Sequence, residues 1–110
     1  MRTKKLLAAA ALAIAASGAQ ANLVTNGSFE ADLQGAGSWH IYPSLTGWTG
    51  IPNIELRNNV AGTAQDGVNF VELDGNFNSA MSQNISGNGL YELSFWYSAR
   101  PHVAAGSNGL

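Results

Sequence analysis

The chain has no cysteine and, after residue 21, no lysine. Without cysteine there is no disulfide framework, so a small exported domain must be held by its core or by a metal. Basic charge is almost as scarce. Beyond residue 21 only Arg57 and Arg100 stand against Glu30, Asp32, Glu55, Asp66, Glu72, Asp74 and Glu92, which leaves a net charge of −5. That balance argues against nucleic acid or an anionic membrane surface as a partner, since both are bound by clusters of Lys and Arg that release counterions. Helical periodicity, internal repeats, linkers and charge blocks are also missing. So are Gly-x-Ser-x-Gly, His-Glu-x-x-His and a Gly-rich phosphate loop.

What is present begins with an export signal. Arg2, Lys4 and Lys5 precede an unbroken apolar run from Leu6 to Ala16, and Ala19-Gln20-Ala21 is a small-x-small cleavage site. The eleven residues of that run fall short of the roughly 20 needed to span a bilayer. Residues 1–21 are therefore expected to be removed, with no membrane insertion afterwards, leaving a secreted or cell-surface chain of 89 of the 110 residues that starts at Asn22. A chain of that length accommodates one domain.

Short strand patterns alternate with turn residues along it. Asn22–Glu30 starts apolar and turns at Asn26-Gly27, a pair that tolerates positive φ. Ser38–Tyr42 alternates Trp39 and Ile41 with His40 and Tyr42 and is expected to end at Pro43. Gly47, Gly50 and Pro52 punctuate the chain around Trp48. Ile54–Arg57 reads as a short half-buried strand, Val68–Leu73 as a central strand apolar on both faces, and Ala80–Ile85 as a strand with Gln83 in its apolar row. Gly89–Arg100 has the clearest period of two, with Tyr91, Leu93, Phe95, Tyr97 and Ala99 on one parity and Glu92, Ser94, Trp96, Ser98 and Arg100 on the other. Six strand candidates and no helix predict an all-β sandwich. After Arg100 the chain reads as a loop, and a strand as apolar as Tyr91–Ala99 calls for neighbours on both sides. The sandwich is thus expected to be incomplete, with an open edge that invites pairing and aggregation.

Three stretches taken together, Asn22-Leu-Val-Thr-Asn-Gly-Ser-Phe-Glu30, Gly67-Val-Asn-Phe-Val-Glu-Leu-Asp-Gly75 and Leu93-Ser-Phe-Trp-Tyr-Ser-Ala-Arg-Pro101, resemble the exported galactose-binding-like domain of domain-of-unknown-function family 642, in its bacterial branch associated with PEP-CTERM sorting segments. The resemblance covers most of residues 22–110. It implies a jelly-roll β-sandwich of the carbohydrate-binding type, of which residues 22–110 would be the N-terminal part. It also implies a structural calcium, with Glu30 matching an acid just after the first strand and a distal partner acid beyond this sequence.

The residues themselves set the candidate chemistry. Sugars are gripped by aromatic faces, with amides, acids and arginine reading their hydroxyls. Trp39, Trp48, Tyr91 and Tyr97 are assigned to the core of a cysteine-free sandwich. Trp96, Arg100, Glu72 and Gln83 then remain as carbohydrate-binding candidates, although Trp96 reads equally well as core beneath a second layer. Asp74-Gly-Asn76-Phe-Asn78 spaces oxygen-bearing side chains as a calcium loop does, but Ser79 and Ile85 occupy positions that need Gly and Glu, so an Asx-rich turn is the better reading. Glu72 and Asp74 lie two apart on one strand face and cannot flank a glycosidic bond from opposite sides. His40 and His102 are lone histidines, best read as surface or hydrogen-bonded residues. The expected function is a non-catalytic module for cell-wall or extracellular polysaccharide. The alternative is a structural or adhesive surface protein that binds no sugar, and an accessory domain of a glycan-active enzyme is the minor third reading.

Overall fold

The computed structural model describes residues 22–104 and 106; the export signal at residues 1–21 lies outside them. Four strands run in chain order: β1 (Ser38–Leu45), β2 (Trp48–Asn58), β3 (Asn69–Glu72) and β4 (Ala80–Ser82). They form one antiparallel sheet, and the described residues contain no α-helix. β2 is the hub. Its first part pairs with β4, with Gly50 opposite Met81, and its second part with β3, with Leu56 opposite Val71. β1 runs beside it on the other side.

The hairpin between β1 and β2 closes through Thr46 and Gly47, with Leu45 opposite Trp48 and Gly47 at φ 80°. Pro43 does not end β1 as the sequence predicts. The register instead shifts between Tyr42 and Ser44, and because β1 lies at the sheet edge the missing N–H of proline removes no ladder bond there. On the facing strand Gly50 accommodates the irregularity, since a Cβ there would lie 2.7 Å from the Pro43 carbonyl oxygen. Pro52 and the Trp48–Gly50 stretch, read as punctuation, are likewise part of β2.

Other expectations are corrected by the pairing. Val68–Leu73 yields a four-residue strand that pairs only with β2, so the central position belongs to β2. Ile54–Arg57 is buried on both faces rather than one. Asn22–Val24 and Gly89–Arg100 form no strand, because period-two patterning specifies which side chains share a face but supplies no hydrogen-bonding neighbour.

Cross-strand register divides the sheet into two faces. Tyr42, Ile54, Leu56, Val71 and Leu73 share one, where Ile54 and Leu56 are fully buried and Phe29, Trp48 and Met81 pack alongside with Leu45. Full burial of a Leu or Ile side chain contributes about 1.5–3 kcal/mol, so this small cluster is the main apolar support of the sheet. The Trp48 ring lies 6.0 Å from that of Phe29 and donates its Nε1–H to the Asn26 carbonyl at 3.0 Å. Of the four aromatics assigned to the core, only Trp48 packs there. Trp39 is exposed on the opposite face of an edge strand, and Tyr91 and Tyr97 belong to a segment outside the sheet.

Candidate functional site

The second face of the sheet is charged. Alternation along β2 sets Glu55 and Arg57 opposite Ile54 and Leu56, and register places Glu55 across from Glu72 and Arg57 between Trp39 and Phe70. Two carboxylates facing each other across adjacent strands repel. Arg57 resolves the conflict by reaching both. Its Nε and Nη2 each lie 2.6 Å from Glu55 Oε1, and Nη2 also contacts Glu72 Oε2. Glu55 and Arg57 are only 4% and 6% exposed, so this pairing is what makes their burial tolerable. Gly75 backs onto the Glu55 carboxylate so closely that a Cβ there would collide with Oε2.

Arg100 completes the cluster. Its Nη1 lies 3.3 Å from Glu72 Oε1, at the exposed rim of the network. Both arginines that follow residue 21 therefore converge on Glu72. Two of the four sequence-derived sugar candidates, Glu72 and Arg100, are brought together. Trp96 is 80% exposed and with Ser94 and Phe95 lines an open depression.

Gln83 is placed elsewhere, at the hairpin end of β2. Its Oε1 accepts from the Thr25 N–H at 2.7 Å, and its Nε2 donates to the carbonyls of Thr25 at 2.9 Å and Gly47 at 2.8 Å. An amide that exchanges both kinds of bond with a backbone acts as a one-residue strand partner and ties the N-terminal segment to the turn. This satisfies the demand raised by a polar side chain in an apolar row.

Glu30 also serves the backbone. Its Oε1 accepts from the Val68 N–H at 2.9 Å and the Asn69 N–H at 2.7 Å, and its carboxyl group sits where a Cβ on Gly67, at φ 70°, would be. Two backbone N–H donors therefore converge on that one oxygen. Among the described residues no three His, Asp or Glu side chains gather as a metal-binding set. His40 sits at 4.7 Å, edge to face, on the Tyr42 ring, in keeping with a surface role.

Several anchoring residues were not foreseen from the sequence. Asp32 accepts from the Thr46 N–H at 3.0 and 3.1 Å through its two oxygens, from Thr46 Oγ1 at 3.1 Å and from Asn26 Nδ2 at 2.9 Å. Asn69 Nδ2 donates to the carbonyls of Phe29 and Asp32, both at 2.8 Å, and Asn58 Nδ2 to that of Gln34 at 2.7 Å. For the Glu55–Arg57–Glu72 cluster a signal did exist: opposite charges two apart, alternating with the apolar Ile54 and Leu56. No comparable signal marks Asp32 or Asn69, whose partners lie far along the chain. No family model, curated protein or solved structure matches this chain.

Proposed function

We propose that this protein is a secreted, non-catalytic carbohydrate-binding module for cell-wall or extracellular polysaccharide, built as a galactose-binding-like jelly roll. The observation that carries the reading is the exposure of Trp96 beside Ser94 and Phe95 in an open depression. A tryptophan plane held toward solvent suits the C–H face of a sugar ring. The contact between Arg100 and Glu72 adds a charged pair that can read hydroxyl groups at its exposed rim. The export pattern of residues 1–21 supports an extracellular setting, and N-terminal sequencing of secreted protein should read Asn22-Leu-Val. Structural calcium is a separate part of the proposal and needs oxygen ligands besides Glu30. A rise in melting temperature on adding calcium supports it, and an unchanged melt removes it.

The test is retention on a panel of polysaccharides, followed by Trp96→Ala. Aromatic anchors carry about 2 kcal/mol or more at binding hot spots, so the variant should lose most of its affinity for whichever glycan retains the parent. Retention on none of them contradicts the reading. A structural or adhesive role is favoured instead by the exposure of Leu90, Leu93 and Phe95, because apolar side chains in this number suit a protein surface better than a sugar.

A further inference from the structure

Residues 92–100 carry matched chemistry outward in both directions from Trp96. Phe95 and Tyr97 flank it, followed by Ser94 and Ser98, then Leu93 and Ala99, then Glu92 and Arg100. The inner pairs set like beside like, and the outermost sets an acid against a base. Such a segment is complementary to itself when reversed. An antiparallel pair of identical strands related by a two-fold axis reverses it in this way.

We infer that this segment is a self-association surface, at which two copies of the chain pair antiparallel about a two-fold axis through Trp96. In that register Glu92 faces Arg100 of the second copy, twice; Phe95 faces Tyr97, twice; the serines face each other; and the two Trp96 side chains meet at the axis. It is the one antiparallel register that sets Glu92 directly opposite Arg100. Opposite charges and aromatic pairs directly across a ladder are favourable contacts.

Two structural observations support an occupant of this kind. None of residues 83–100 belongs to a strand, although the segment has the period of one. Its large side chains face outward, with Leu93 76%, Phe95 66% and Trp96 80% exposed, and Leu90, Tyr91 and Tyr97 exposed as well. Leu93, Phe95, Trp96 and Tyr97 lie within the paired span and bring apolar surface to it from both faces of the strand. A second copy is favoured over an unrelated partner because the charges and side-chain sizes are already matched within one segment. Arg100 carries five N–H donors in a planar fork, so a contact to Glu72 is compatible with one to a second carboxylate. The inference goes beyond glycan recognition and draws on the same Trp96 surface, so a bound sugar and a second copy would compete for it.

Sedimentation equilibrium of the full chain, purified after export and measured without glycan, should give a dimer. Glu92→Arg should weaken it by about tenfold, since two favourable pairs become two repulsive ones. Register is tested separately with single-cysteine variants, which report cleanly because the chain has no cysteine of its own. A mixture of Ser94→Cys and Ser98→Cys proteins should form disulfide-linked dimers much faster than either variant alone. A monomer over a concentration range of roughly 1–100 μM, or cross-linking no faster in the mixture, overturns the inference. So does a monomer whose residues 91–99 are protected by another part of its own chain.

Discussion

Residues 22–37 and residues 84–96 are both irregular in backbone, yet they are held in opposite ways. The first has little strand periodicity but is fastened at many points: Asn26 and Asp32 to the hairpin turn, Glu30 to the start of β3, and the carbonyls of Phe29, Asp32 and Gln34 to the amides of Asn69 and Asn58. The second has the strongest strand period in the sequence and stands outside the sheet with its apolar side chains exposed. Short polar side chains that reach a backbone can order a loop without any ladder. Alternation alone orders nothing until a neighbouring strand supplies its hydrogen bonds.

The sharpest way to break this contrast is at Arg57, which underlies the charged face and shares Glu72 with Arg100. Arg57→Ala leaves Glu55 and Glu72 facing each other and should cost about 3–5 kcal/mol, as removing one partner of a buried pair does, seen as a large drop in the denaturation midpoint. Next comes Asp32→Ala, which strips the acceptor from the Thr46 N–H and Oγ1 groups and from Asn26. With charged hydrogen bonds each contributing about 1.5–3 kcal/mol, a loss of that size is expected in chemical denaturation. Gln83→Ala frees the Thr25 and Gly47 backbone groups at a partly exposed site and should cost about 1–2 kcal/mol, with the loss of order confined to the N-terminal segment in amide spectra. Trp96→Ala should change the stability of the monomer by about 0.5 kcal/mol or less, as exposed positions do. A loss near 3 kcal/mol would mean that the tryptophan is packed after all.

Much of the sheet was legible in the sequence because local alternation reports which residues share a face. Ser38, Ile54–Arg57 and Ala80 all fall within observed strands. Less legible was which strand is central, since β2 gains that position from pairing with all three others, a property of distant partners rather than of its own pattern. The two prolines misled for a related reason. Pro43 and Pro52 argue against strands in general, but β1 is an edge strand and Pro52 falls between Thr49 and Ile54, where the register with β1 is interrupted. At the candidate site, parity singled out Trp96 and Arg100, and polarity in β-rich surroundings singled out Glu72 and Gln83, but the contact between Arg100 and Glu72 was not legible. The role of Gln83 as a clamp was not, because its partners at Thr25 and Gly47 lie 58 and 36 residues away.

Amide hydrogen exchange at two protein concentrations tests the contrast most directly. The amides of Thr46 and Asn69, whose acceptors are the Asp32 and Glu30 carboxylates, should be protected to the same degree at both. Those of Leu93–Trp96 should exchange nearly as fast as an unfolded chain in dilute solution and slow markedly when concentrated, as self-pairing supplies ladder bonds. Protection of Leu93–Trp96 at both concentrations, or rapid exchange at Thr46 and Asn69, would contradict the account.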